Sequence, residues 1–284
     1  SESQEPGLTL LENMTEAWLD RARQFVDRDL ITIDLASEKH GLFVDALVED
    51  DKGGIGRCVI SGSHENCILL EKNGRTVFSS DASGDSGSGE LLQQRQALAS
   101  VSFAEIWNNI GQLSEELRQH MLNGIDMNLR VAEAGLAKDG FLHIGNIYNN
   151  LINEGWLGND VVNRAKALTS AAVDARMSGC NLPVMTSAGS GNQGLTISLP
   201  LHVLAEHVKA DRRRLSEALG ISHGITSILK YHSGTLSAMC GCVVCSGTGL
   251  TAGATYLLGG DLETATAAVN NMVGSITEIG RAHV

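Results

Sequence analysis

A polar segment bracketed by two of the three prolines is the part of the sequence best suited to chemistry. It spans residues 185–196 (MTSAGSGNQGLT), inside an otherwise apolar region. Its glycines, Gly189, Gly191 and Gly194, let the backbone turn tightly and expose N–H groups. Its side chains add further hydrogen-bonding groups, those of Ser187, Ser190, Asn192, Gln193 and Thr196. Ahead of a helix that starts near Leu195, such a segment could hold a carboxylate or a phosphate. The alternative is an ordinary connection between helices, and the segment matches neither a P-loop nor a dinucleotide fingerprint.

Three of the six cysteines form a C-x-C-x-x-C pattern, Cys240, Cys242 and Cys245. Read alone, the pattern is compatible with zinc or an iron–sulfur cluster. On a helix, however, these positions scatter around the axis, so one metal-facing cysteine beside two buried ones is an equal alternative. The length of the chain and its lack of a secretory signal favour reduced thiols over disulfides.

Three histidines are candidates for acid–base chemistry. His64 lies in a polar glycine turn between strands, His143 follows an apolar pair, and His223 lies at the expected end of a helix. A structural role is the alternative for each of them. Arg176, two residues after Asp174, could form a local ion pair or bind a carboxylate.

Several of these motifs together resemble the L-cysteine desulfidase family, which is related to the alpha chain of iron–sulfur L-serine dehydratases. The resemblance runs from about residue 7 to about residue 274 and rests on four segments, DARM (174–177), LP (182–183), SAGSGNQG (187–194) and LSAMCG (236–241). The third of these is the most specific.

The resemblance implies an enzyme that uses a [4Fe–4S] cluster. In such enzymes one incompletely ligated iron acts as a Lewis acid, a base removes the α-proton, and sulfide or water leaves. The products are pyruvate and ammonia, with sulfide from L-cysteine. The polar segment then becomes a substrate cradle made of Arg176, Ser187, Gly189, Ser190, Gly191, Asn192, Gln193 and Gly194. Cys240 becomes the cluster ligand, and His64, His143 and His223 are the catalytic candidates.

The chain departs from the family pattern at two cluster cysteines. The early Cys-Thr-Glu-Pro element is absent, and Arg281 stands where the last cysteine is expected. With one of three ligands present, we expect an internal fragment that binds no intact cluster and is inactive. A non-catalytic amino-acid-binding module and a degenerate paralogue without a ligand are the alternatives.

Composition narrows the range of partners. The chain has 284 residues and a net charge of −12, which argues against a nucleic-acid or anionic-membrane partner. No apolar run reaches the ~18 residues that a membrane span needs. We therefore expect a cytoplasmic protein that takes a small L-amino acid, and the sequence is compatible with a homodimer.

Periodicity predicts an α+β protein, with an N-terminal helix on a small, mostly antiparallel sheet followed by a mainly α-helical domain. Residues 1–80 carry a helix over about 8–27 and strands at 30–35, 42–48, 57–61, 67–70 and 75–79, the last two flanking an Asn73-Gly74 hairpin turn.

A polar linker or loop is expected at 81–89, followed by a catalytic-type helical domain at 90–284 whose tail is atypical from about 275. Its helices are expected at 102–110, 114–137, 146–152, 160–177, 199–207 and 211–219, with two more after Leu236.

Overall fold

The computed structural model describes residues 14–39, 42–62, 66–80, 88–234 and 239–277. The chain divides into two compact units, Ser1–Ser83 and Gly84–Val284, which are described here one at a time.

Within its described residues, the first unit contains one helix and one antiparallel sheet. Helix α1 spans Glu16–Asp27, and the strands are β1 (Phe43–Glu49), β2 (Ile55–Ser61), β3 (Cys67–Lys72) and β4 (Arg75–Ser79). The four strands form a meander in the order β1-β2-β3-β4, each antiparallel to the next. Among the described residues of this unit, Val59 is the one apolar side chain that is buried.

Of two sequence predictions for this unit, the hairpin turn is confirmed and the strand at 30–35 is wrong. The turn between β3 and β4 is confirmed, because Asn73 and Gly74 both have positive φ and Lys72 pairs with Arg75. The predicted strand at 30–35 is wrong, since this segment is irregular and Ile33 and Leu35 are about nine-tenths exposed. Alternating apolar residues make a strand only where a neighbouring strand accepts their hydrogen bonds.

The regular elements of the second unit are helical throughout its described residues. Its elements are α2 (Ser88–Ala99), α3 (Phe103–Asn109), a 3₁₀ turn (Ile110–Gln112), α4 (Glu115–Leu136), α5 (Ile144–Asn153), α6 (Val161–Met177), α7 (Gly191–Val208), α8 (Arg212–Ser233), a π-helical turn (Cys242–Gly247), α9 (Thr248–Leu257) and α10 (Leu262–Thr277). The predicted α+β class is therefore confirmed.

Some helix boundaries differ from the expected ones. The predicted linker 81–89 overlaps α2 at its last two residues, and 81–87 lie outside the described residues. Helix α8 continues fourteen residues past its expected end at Leu219, to Ser233, because its next turns are buried. The helices expected from Ser102, Ser114 and Asp160 are present. Each of these residues is the N-cap, and its side chain accepts a hydrogen bond from a backbone N–H in the first turn.

Helix α7 is the centre of the second unit. Five of its apolar side chains have no exposed surface, namely Leu195, Ile197, Leu199, Leu201 and Val203. Helices α4, α6, α8 and α9 all pack against it. Burial on every side explains why this segment is helical in spite of two glycines in its first turn and Pro200 in its interior.

No helix within the described part of the chain has the length and the apolar character to cross a membrane.

Candidate functional site

A tight turn precedes α7 and fixes where that helix starts. Ser187 and Ser190 exchange two backbone hydrogen bonds of 3.0 and 2.9 Å, with Ala188 and Gly189 between them in the left-handed region. Positive φ is costly for alanine, so the surrounding packing holds this turn in place. The predicted polar loop is thus an ordered reverse turn.

The second half of the predicted loop is helical. Helix α7 begins at Gly191, and not near Leu195 as expected, so Asn192, Gln193 and Gly194 form its first turn. The cap residue Ser190 makes no side-chain hydrogen bond to this turn. Backbone N–H groups at a helix start carry partial positive charge and bind anions.

Arg176 lies directly over this helix start. Its Nη1 donates a 3.0 Å hydrogen bond to Oδ1 of Asn192, and both side chains also contact the sulfur of Met177. A Cβ added to Gly191 would lie 2.9 Å from the guanidinium carbon. The guanidinium group therefore occupies space that only glycine leaves open. Arg176 is exposed, so its remaining donors can reach a ligand from solution.

Gln193 joins the α7 turn to the cysteine segment. Its side chain is 1% exposed, and its Oε1 is buried without a hydrogen-bond partner. Its Nε2 lies against Gly241, where an added Cβ would overlap it. A buried acceptor without a partner costs free energy unless a ligand or water donates to it.

Cys240 is an exposed thiol at the start of the π-helical turn. Hydrogen bonds from the backbone of Cys242 and Val243 and from the Cys242 thiol lower the pKa of Cys240. Burial raises the pKa of Cys242 to about 11, and its thiol also meets the Thr196 hydroxyl of α7. Cys242 therefore makes polar contacts with both Cys240 and Thr196.

The described residues do not fit a [4Fe–4S] cluster by themselves. A cluster needs several thiolates around one volume, and no group of three metal-ligating side chains occurs in the described ranges. Cys245 is buried and lies near Ser233, on the far side of the turn from solvent. Arg281, where the sequence lacks an expected ligand, lies outside the described residues.

His223 contacts the turn ahead of α7. Its Nδ1 lies 2.8 Å from Oγ of Ser187, which is itself 3% exposed. Burial, with a smaller effect from the charge of His120, lowers the pKa of His223 to about 4. The ring is consequently neutral at neutral pH. It sits in the middle of α8 and not at the helix end expected from the sequence.

The hydrogen bond of His143 is made by its backbone, and its ring Nδ1 is buried without a partner. His143 is the N-cap of α5, in the left-handed region, and its backbone N–H donates to Asp174 at 2.6 Å. Asp174 also accepts from the backbone of Phe141 and Leu142; these bonds outweigh burial and hold its pKa below the usual value. Asp174 thus orders this segment, while Arg176 turns to Asn192. His64 lies outside the described residues.

Asn128 is a residue of the site that the sequence analysis missed. It is fully buried on α4, its Oδ1 accepts from the backbone N–H of Met185 at 2.9 Å, and its Nδ2 donates to Ser198 at 2.8 Å. It thereby anchors the segment that leads into the turn. The sequence did contain a signal for it: Asn128 is a polar residue three positions after Ile125, on the side of α4 that carries apolar residues.

Comparisons with known proteins agree with the resemblance read from the motifs. The model of the serine dehydratase alpha chain family matches residues 5–278. A UPF0597 protein of Desulfotalea psychrophila is 35% identical over 275 residues, which are 96% of this chain and 63% of that protein. One of Clostridioides difficile is 33% identical over 273 residues, 96% of this chain and 64% of the relative.

The chain spans less than two thirds of the length of these relatives. No solved structure matches it. With nearly the whole chain covered by the family model, the chain belongs to the serine dehydratase alpha chain family.

Proposed function

We propose that this chain carries the amino-acid-binding part of a β-eliminating lyase that acts on L-cysteine or L-serine. One observation carries the proposal. The start of α7 presents backbone N–H groups beside the exposed guanidinium group of Arg176, and Gln193 of the same turn reaches the segment that holds Cys240.

The substrate carboxylate fits the start of α7. The first-turn N–H groups supply directed donors and the positive end of the helix dipole. Arg176 adds a full positive charge and a planar donor pair, which suits a carboxylate. Asn192 orients Arg176 through its Oδ1, so it acts on the substrate through the arginine.

The substrate ammonium group fits the unpartnered Oε1 of Gln193. An ammonium group donates up to three hydrogen bonds and accepts none, so it requires acceptors such as this oxygen. Carboxylate and ammonium sites on one helical turn would select α-amino acids over acids that lack the amino group.

His223 is the proposed base for the α-proton. A neutral imidazole can accept a proton at one ring nitrogen. If Nδ1–H donates to Ser187, Nε2 keeps its lone pair for that step. Loss of the α-proton and of water or sulfide gives an enamine, which hydrolyses to pyruvate and ammonia. His143 and His64 stay proposals of lower rank, because the described contacts of His143 lead to Asp174.

A second candidate is a non-catalytic amino-acid-binding module. It is favoured by the shortage of cluster ligands among the described residues. We also propose a cytoplasmic protein without nucleic-acid or membrane partners, in line with the net charge of −12; a homodimer is an alternative to a monomer.

Calorimetric titration with L-cysteine and L-serine tests both candidates. We expect binding by the wild type, loss of binding in Asn192→Ala, and retention in Cys240→Ala. Anaerobic reconstitution, with iron and sulfide counting and a pyruvate assay, then separates the two. Pyruvate formation with a stoichiometric cluster supports the lyase and overturns the expectation that this chain is inactive. Binding without either supports the module, and no binding of either amino acid overturns both.

A further inference from the structure

Two thiols face each other across the sheet of the first unit. Cys58 of β2 and Cys67 of β3 are both free and partly buried, and their sulfur atoms lie 3.6 Å apart. Neither cysteine is a residue of the proposed amino-acid site. An inference from this pair is therefore independent of the proposed function.

The pairing register around the two cysteines places their sulfurs near each other but not at bonding distance. A disulfide has an S–S length of about 2.05 Å, so the sulfurs must approach by about 1.5 Å. Cys58 pairs with Leu70 and Cys67 pairs with Ile60, with a register shift between Val59 and Ile60. The thiols therefore meet diagonally, across an irregularity where the strand departs from regular pairing.

We propose that Cys58 and Cys67 form a reversible disulfide by exchange with a low-molecular-weight disulfide such as oxidised glutathione. A thiolate of the pair attacks one glutathione sulfur, which forms a mixed disulfide and releases one reduced glutathione. The second protein thiolate attacks the protein sulfur of that mixed disulfide, which forms the internal bond and releases the second glutathione. The two protein thiols are oxidised and one glutathione disulfide is reduced, and the two protons that the protein thiols lose end on the two released glutathione thiols.

The bond would close the strand connection between β2 and β3. At its base, the backbone N–H of Ser61 donates to the carbonyl of Asn66 at 3.1 Å, and the Asn66 side chain donates back to Ser61 at 2.9 Å. A cross-link between β2 and β3 next to these contacts reduces the conformational freedom of the unfolded chain. It also keeps the two strands in register. We expect the oxidised form to unfold at a higher temperature than the reduced form.

Thiol mapping of the full chain after incubation with oxidised glutathione tests the proposal. The protein is unfolded and alkylated, and its mass and proteolytic peptides are measured. We expect loss of alkylation at both Cys58 and Cys67, a peptide in which Cys58 is joined to Cys67, and full recovery of alkylation after dithiothreitol; the exposed Cys240 thiol is scored separately. Alkylation of all six thiols, a different pairing, or a glutathione adduct that persists on either cysteine would overturn the proposal.

Two single variants test the exchange steps and the choice of cysteines. In Cys58→Ser the resolving thiol is missing, so the mixed disulfide should persist on Cys67, with a mass gain of one glutathione. Cys180→Ser removes another partly buried thiol and should form the Cys58–Cys67 bond as the wild type does. If Cys58→Ser does not fold, the peptide map of the wild type and of Cys180→Ser still decides the question.

Discussion

Gly191→Ala should weaken amino-acid binding strongly without unfolding the protein. The added Cβ would lie 2.9 Å from Cζ and 3.1 Å from Nη2 of Arg176, distances too short for these atoms. The obstructing atoms are the far end of an exposed, flexible side chain, so Arg176 can move away. When it moves, Arg176 loses its hydrogen bond to Asn192 and its position over the start of α7.

The two effects on stability are of similar size and opposite sign. Loss of the exposed hydrogen bond between Arg176 and Asn192 costs about 0.5–1.5 kcal/mol. Alanine in place of glycine in a helix gains up to about 1 kcal/mol. The free energy of unfolding should therefore change by less than about 1 kcal/mol, as measured by urea denaturation.

The effect on affinity should be much larger. A hydrogen bond to a charged group contributes about 1.5–3 kcal/mol, which corresponds to a rise in Kd of about 10- to 150-fold for L-serine or L-cysteine. Calorimetric titration measures it. A stable Gly191→Ala protein that binds either amino acid as tightly as the wild type would refute the role given to Arg176.

Two further glycines serve as matched controls. An alanine at Gly274 would meet no atom within 4 Å, so Gly274→Ala should keep both stability and affinity. At Gly135 the new Cβ would lie against the backbone of Ala171, 3.0 Å from its Cα, and backbone cannot move aside as a side chain can. Gly135→Ala should lose about 1–3 kcal/mol of stability.

Three other changes test the electrostatics of the second unit by urea denaturation. Asp174→Asn should cost about 2–3 kcal/mol near neutral pH, because an amide nitrogen would face a backbone N–H that now donates to a carboxylate. Since the pKa of Asp174 is lowered in the fold, this difference should shrink as the pH falls below about 4; an unchanged difference would contradict it. The pKa of His223 is lowered to about 4, so the unfolded chain takes up a proton between about pH 6.5 and pH 4 that the folded ring does not. The wild type should lose stability over that interval, and His223→Gln should lose less; parallel profiles would argue against a neutral His223. Glu217→Ala should cost about 3–5 kcal/mol, because it leaves the buried guanidinium group of Arg118, now 3.2 Å from Glu217, without its counter-charge. The double variant Arg118→Met/Glu217→Leu should lose less than Glu217→Ala, and a larger loss would contradict the desolvation argument.

Local sequence signals determined much of the secondary structure. Ser102, Ser114 and Asp160 are polar residues ahead of apolar periodic segments, and each caps a helix that was predicted to begin there. Asn73-Gly74 determined a hairpin because both residues tolerate positive φ. These features depend on hydrogen bonds within a few residues, so the sequence alone is enough to predict them. The family resemblance was likewise carried by short motifs in a fixed order.

Features that depend on distant neighbours were decided by the tertiary structure. The start of α7 at Gly191 contradicts local propensity and arises because four other helices bury the segment. Residues 30–35 alternate like a strand but are irregular in the fold. His223 is brought to Ser187, thirty-six positions away in sequence, because α8 extends beyond its local signals.

The amino-acid sequence was sufficient to identify the chemical groups of the candidate site and the family to which the chain belongs. Which of these groups meet depends on the three-dimensional packing, which brings Arg176 to Asn192, Gln193 to Gly241, and the backbone of His143 to Asp174. The physical reason is that helix packing selects contacts by shape and burial between segments remote in sequence, which no local pattern encodes.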